Sequence, residues 1–404
     1  MNSLTRKLFL CASFLLTLIL YARAHFYRDP GSIFFDKTRA YQQVYSHHRL
    51  LETEEFIRAA KEGAGEYQKA ADNATLCVAI SSVKRQRNNY LETTIAGILA
   101  GLTPQERGAL YLSVFISETD PEKHPSYRSR WIPRVVDNFH TYNVSEPRLE
   151  LLQDMEREER FLEKGVFDYR TALEDCYESG APYVAVFEDD ILMADGWMVR
   201  TLLGLRDVEK RAEDWLYMRL FNQERSIGWA GKHIGGNHEF PIIALLSGAI
   251  LAPTYFLRSR FRFFRVHLES IMVLSLFLIP SLVILFYQCG KASLLPPHDG
   301  IYAQKFGCCA QAMVMPRDQI PDLSSFLRRE KEGQMDTLLN RRARRAKLMR
   351  YAFYPVQAQH IGLDSARHTD EDEARAVWSM AFEMRDPERA RKDHLEMVNR
   401  YWEL

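Results

Sequence analysis

Glu188-Asp189-Asp190 carries the sharpest chemical signal in the chain. The triplet follows Tyr183-Val184-Ala185-Val186-Phe187, whose composition predicts a buried strand, so three carboxylates crowd the mouth of that strand. They repel one another unless a cation or hydrogen-bond donors stand close, and a hard divalent ion such as Mn2+ or Mg2+ suits oxygen ligands of this kind. Held against a diphosphate, such an ion neutralises the departing group of a sugar nucleotide. Acids at strand ends also occur as plain solvated loop residues.

Two other stretches offer partners for that chemistry. Ser81-Ser82-Val83-Lys84-Arg85 closes a predicted strand, and its hydroxyls and two cations suit a nucleotide and its phosphates; a solvated basic turn has the same composition. Near the carboxyl end, Val356-Gln357-Ala358-Gln359-His360-Ile361-Gly362 sets a histidine after an extended segment. A neutral imidazole there is a third metal-ligand candidate, and a structural histidine is the plainer alternative.

These groups need a scaffold that brings them together. Leu76 to Ile80 suits a buried strand, and Leu91, Ile95 and Leu99 at helical spacing predict a helix over residues 90–102, ahead of Thr103-Pro104. Ala109 to Ile116 predicts a second strand, ending in the polar run Ser117-Glu118-Thr119-Asp120. From Pro147 to Gly180 the pattern predicts one long helix, with Leu151, Met155, Leu162, Val166, Tyr169, Leu173 and Cys176 near one face. Strand-helix-strand order predicts an α/β fold with a mostly parallel sheet flanked by helices, and such sheets bind ligands at the carboxyl ends of their strands.

Composition narrows the class of partner. In 404 residues, 53 Lys and Arg balance 53 Asp and Glu, so no global field recruits nucleic acid, and none is expected as a partner. Arg341 to Arg350 is locally basic.

The apolar residues are clumped instead. Leu8 to Ala22 is free of charge and follows Arg6-Lys7, which fits a signal anchor; Ala22-Arg23-Ala24 leaves a cleaved signal peptide as the alternative. Phe240 to Leu257 and Ser270 to Cys289 are also charge-free and near the roughly 20 residues that span a bilayer. Pro253 and Pro280 inside them favour a membrane over a soluble core, where such prolines are costly. Between the two runs stand Arg258, Arg260, Arg262, Arg265 and His267 without an acid, as expected of a cytoplasmic loop, so the pair reads as a transmembrane hairpin. Two buried helices of a soluble core are the competing reading. One amino-terminal crossing plus the hairpin puts residues 25–239 and 290–404 on the lumenal side of the lipid bilayer.

Asn73-Ala74-Thr75 and Asn143-Val144-Ser145 fit the glycosylation pattern and fall in that lumenal part. Cys77, Cys176, Cys289, Cys308 and Cys309 would then meet an oxidising compartment, where some should pair. Adjacent Cys308 and Cys309 are not expected to pair with each other.

Val78-Ala79-Ile80-Ser81-Ser82-Val83-Lys84-Arg85, Tyr90-Leu91-Glu92-Thr93-Thr94 and Val114-Phe115-Ile116-Ser117-Glu118-Thr119-Asp120, in this order, resemble the start of the N-acetylglucosaminyltransferase IV type of GT-A domain. Phe187-Glu188-Asp189-Asp190 resembles that group's metal motif, and Gln359-His360-Ile361-Gly362 followed by Ser365 resembles its carboxyl-terminal signature. The apolar hairpin set inside the domain, with Leu220-Phe221-Asn222-Gln223-Glu224-Arg225 before it and Cys308-Cys309 after it, resembles the post-GPI-attachment N-acetylgalactosaminyltransferase family of the Golgi.

The resemblance implies a GT-A fold, a UDP-sugar donor, Mn2+ or Mg2+, and inverting transfer of N-acetylgalactosamine or a related hexose to the mannose core of a GPI-anchored protein. It points to Glu188, Asp189, Asp190 and His360 for the metal, and to Ser81, Ser82, Val83, Lys84, Arg85, Glu118 and Asp120 for the donor. It makes Asp336, in Gln334-Met335-Asp336-Thr337, the candidate general base, with helix capping as the plain alternative and Asp299 as a competitor. The expected organisation is a tail over 1–7, an anchor over 8–24, a stem over 25–75, a catalytic domain over 76–239 and 290–404, and the hairpin over 240–289 with its loop at 258–267. The localisation implied is a multi-pass Golgi membrane protein. An N-glycan branching transferase and a non-catalytic membrane scaffold remain as alternatives.

Overall fold

The computed structural model describes residues 2–63, 67–226, 228–231, 233–305, 307–364 and 371–403; Ser365 lies outside them. The chain forms two units, Met1–Gln42 with Glu224–Pro297, and Gln43–Gln223 with His298–Leu404. The second unit is thus entered, left at Gln223 and re-entered at His298.

The larger unit is mixed α/β. Its strands are β1 Leu76–Ser82, β2 Leu110–Ile116, β3 Asn138–His140, β4 Tyr183–Phe187, β5 Ile191–Met193, β6 Trp215–Arg219, β7 Gly300–Ala303, β8 Ala312–Pro316, β9 Met349–Tyr354 and β10 Ala358–His360. Eight form one sheet in the order β3-β2-β1-β4-β8-β6-β9-β7, while β5 and β10 pair apart. Neighbours from β3 to β4 run parallel, as do β6 and β9, and β8 is antiparallel to both β4 and β6.

Period-two burial explains the layers. Leu76, Val78 and Ile80 of β1 face one core, shared with the helix Leu91–Leu99, while Cys77 and Ala79 face another, shared with the helix Phe161–Glu178. Cys77 and Cys176 form a disulfide that ties this second helix to the start of β1.

The long helix expected from Pro147 to Gly180 is two helices, Glu146–Arg157 and Phe161–Glu178. Glu159 takes a left-handed φ of 55°, and the Arg160 amide closes back onto the Met155 carbonyl at 2.9 Å. The heptad step from Met155 to Leu162 keeps the apolar phase across the break, which is why periodicity alone reads as one helix.

The smaller unit holds three helices long and apolar enough to cross a membrane, Ser3–His25, Glu239–Leu257 and Leu268–Gln288. Each buries only 11% of its apolar window, which overturns the reading of the hairpin as core helices. The amino-terminal helix packs against the second hairpin helix, and Lys7 pairs with Glu269 at 3.1 Å. Leu274–Leu278 is a π-helical turn. In that pattern the Ser275 carbonyl would bond the amide five residues on, which is Pro280 and has none; the Ser247 hydroxyl of the other hairpin helix donates to it instead.

Candidate active site

The chain leaves β4 at Phe187, turns through Glu188-Asp189-Asp190 and enters β5. Three neighbours hold the turn. The Glu188 amide donates to the Gln311 carbonyl at 2.8 Å, extending the antiparallel ladder in which Phe187 faces Ala312. The Thr94 hydroxyl accepts from the Ile191 amide at 3.1 Å and lies 2.9 Å from the Asp189 and Ile191 carbonyl oxygens. On the third side, β10 pairs with β5 so that His360 faces Ile191, and the Ile361 amide donates to the Asp190 carbonyl at 2.9 Å. A Cβ on Gly362 would collide with the Asp190 carboxylate, so glycine alone lets this segment approach.

The two aspartates are buried, and their surroundings differ. Asp189 pairs with Arg85 and accepts a hydrogen bond from the Ser82 hydroxyl. Burial raises its carboxyl, and Arg85 only partly offsets the effect. Burial would raise Asp190 too, but His360, 3.2 Å away, and Arg85, 2.9 Å away, outweigh it and hold the group well below the usual carboxylate range. Donor atoms of Glu188, Asp190 and His360 all lie within 4.8 Å of one another. Oδ1 of Asp190 is buried and has no hydrogen-bond partner among the described residues. Of the acids expected at an ion, Glu188 and Asp190 therefore converge with His360, whereas Asp189 is taken up by Arg85 and Ser82.

Behind Ser82 stands His124, which nothing in the sequence marks out. The Ser126 amide donates to Nδ1 of His124 at 3.2 Å, so the ring proton sits on Nε2, 3.0 Å from the Ser82 oxygen. Burial pushes this imidazole down to about 4, so it stays neutral. The imidazole donates to Ser82, and Ser82 donates to Asp189.

A cavity of about 460 Å³ opens on the acid turn. Ser81, Val83, Arg85, the three acids, His360 and Asp336 line it, while Ser82 lies behind the lining and Lys84, Glu118 and Asp120 lie outside it. Glu118 accepts from the Lys84 amide at 2.6 Å, and Asp120 accepts from the Glu122 amide at the head of a short turn. Asp336 is in the first turn of the helix Met335–Ala346, whose N-cap position is Gln334, and it accepts from the Thr337 amide at 2.6 Å. Asp299 is exposed and away from the cavity lining. In the basic stretch, Arg341 and Arg345 pair with Glu330, and Arg342 with Asp322. Asn73 and Asn143 are both exposed.

Cys308 and Cys309 also line the cavity, and they are joined to each other, against expectation. The backbone makes the pairing reachable: Cys309 takes a φ of 92°, and Arg219, itself buried, donates to its carbonyl at 2.9 Å. Lys164, Asp168 and Tyr169 of the helix Phe161–Glu178 complete one wall. Their helical spacing is visible in the sequence, but Tyr169 belongs equally to the apolar stripe, which conceals it.

No curated protein matches the chain. Residues 76–357 match the family model described as GPI-N-acetylgalactosamine transferase PGAP4. That stretch runs from the first residue of β1 to just short of β10, so it takes in the acid turn, the hairpin and Asp336, and stops before His360. A match over well over half of the sequence means that the chain belongs to the GPI-N-acetylgalactosamine transferase PGAP4 family.

Proposed function

We propose that the protein transfers N-acetylgalactosamine, or a related hexose, from a UDP-sugar to the mannose core of protein-linked GPI anchors, with inversion at the sugar carbon. The observation that carries this reading is the convergence of Glu188, Asp190 and His360 in a cavity that Asp336 also lines. The family match supports the sugar and the acceptor.

Charge supports a divalent cation at the acid turn. Three adjacent carboxylates crowd the turn beside one guanidinium, Arg85, and one imidazole, His360. Two carboxylates and an imidazole, with the Asp190 oxygen unpartnered, suit Mn2+ or Mg2+. When bound there, the ion would offset the charge of the leaving diphosphate.

The chain's own groups supply the rest. Asp336 accepts the proton of the acceptor hydroxyl as its oxygen bonds to the anomeric carbon; the bond from that carbon to the UDP oxygen breaks, and its electron pair leaves with UDP. Ser81, Val83 and Arg85, which line the cavity, are the donor contacts in this reading.

The apolar helices and the loop Arg258-Ser259-Arg260-Phe261-Arg262 support a multi-pass Golgi protein whose catalytic unit is lumenal. The Cys77–Cys176 disulfide fits an oxidising lumen. Pinning the enzyme to the bilayer raises the effective concentration of a lipid-tethered acceptor.

A donor screen tests the reading: UDP release from each nucleotide sugar, with and without manganese, on GPI-protein and free N-glycan acceptors. UDP-N-acetylgalactosamine with the GPI protein is expected to give the signal, only with the metal. Preference for N-glycans would replace the reading with a branching transferase.

A further inference from the structure

The helix Phe161–Glu178 runs antiparallel to β1, and the Cys77–Cys176 disulfide marks its far end. Seven residues back from Cys176, about 10 Å at 1.5 Å per residue, Tyr169 reaches the level of Ile80 and Ser81, where the strands end at the acid turn. The residue belongs to the core shared with Cys77 and Ala79, and it also lines the cavity.

The Tyr169 hydroxyl is buried, and it has no hydrogen-bond partner among the described residues. Its neighbours are engaged elsewhere. Lys164 donates to Asp168 at 2.9 Å and to the Ser117 carbonyl, and the Tyr142 hydroxyl donates to Asp168. A buried hydroxyl left unbonded is costly, and one at a cavity wall is satisfied when a ligand brings an acceptor. Burial first and then the charge of Glu188 hold the phenol protonated, so its O–H can donate to an incoming oxygen.

We infer that the Tyr169 hydroxyl is a binding contact for the sugar nucleotide, donating a hydrogen bond to one of its oxygens beside Glu188. The inference rests on the UDP-sugar reading above. The acceptor oxygen belongs either to the UDP moiety or to a hydroxyl of the sugar, and affinity for UDP alone separates the two.

The test is Tyr169→Phe in the full chain, which keeps the ring and deletes one oxygen, with Tyr169→Met as a second variant that also lacks the hydroxyl. Calorimetry with manganese reads UDP and UDP-sugar affinity, and the thermal midpoint reads the fold. Tyr169→Phe should not lower the midpoint, and both variants should bind the sugar nucleotide about tenfold more weakly, as for one lost hydrogen bond. An equal loss for UDP puts the oxygen on the nucleotide, and a loss confined to UDP-sugar puts it on the sugar. Unchanged affinity for both ligands in Tyr169→Phe overturns the inference while the functional reading stands. If the unmodified protein binds neither ligand, both fall.

Discussion

Asp189 and Asp190 are neighbours in the chain and share Arg85, yet their other contacts diverge, Ser82 for Asp189 and His360 for Asp190. One carboxylate is taken up by bracing contacts at the acid turn, and the other keeps one buried oxygen without a hydrogen-bond partner among the described residues.

Substituting them should therefore give different phenotypes. Asp190→Asn should cut turnover by at least about 100-fold and abolish manganese binding. Asp189→Asn should cost about 3 kcal/mol of stability by breaking a buried pair, with a smaller effect on metal affinity. Manganese titration and denaturant unfolding read the two. Identical losses of metal affinity would remove the distinction.

Gly362→Ala should act like a loss of His360. The added methyl meets the Asp190 carboxylate and must push β10 off β5. A shift of about 1 Å at the reacting groups is expected to cost on the order of 100-fold in kcat. Wild-type kcat in this variant would mean that the segment moves without consequence.

Two histidines should shape stability against pH in opposite directions. His124 is held down to about 4 by burial, so its contribution is present above its ordinary value near 6.5 and is lost as pH falls towards 4. His394 lies 2.8 Å from both Glu106 and Asp195, which outweigh burial and raise it to about 9. Its contribution is complete below pH 6.5 and fades as pH climbs to 9. The thermal midpoint should peak near pH 6.5; His394→Gln should flatten the alkaline limb and His124→Gln the acidic one.

The double substitution Cys77→Ala and Cys176→Ala should destabilise the larger unit. The bond closes a loop of sequence separation 99, worth about 4–5 kcal/mol in the chain-entropy account. The unfolding midpoint with and without reductant checks it: the variant should lose the reductant sensitivity assigned to this bond.

Replacing residues 240–289 by a soluble linker should leave UDP binding intact and abolish transfer to GPI proteins in membranes. Activity with a detergent-solubilised acceptor should survive in part. Full activity on membrane-bound acceptors would show that the hairpin does not raise their effective concentration.

Local composition determined much of this protein. The runs of β1, β2 and β4 read directly as buried strands, because a strand covered on both faces must be apolar throughout. The hairpin is equally legible, since only a lipid environment tolerates long charge-free helices that expose their side chains. The acid triplet stands out because three adjacent carboxylates at a strand end demand compensation.

Tertiary structure alone decided how that compensation is shared. His360 reaches Asp190 through the pairing of β10 with β5, two strands of three residues that no periodicity announces across that separation. Likewise the break at Glu159, the bond between Cys308 and Cys309, and the chain from His124 through Ser82 to Asp189 depend on register and on what faces each group. Period and hydrophobicity are properties of neighbouring residues along the chain, whereas a carboxylate's role is set by whichever distant donor the packed core delivers to it.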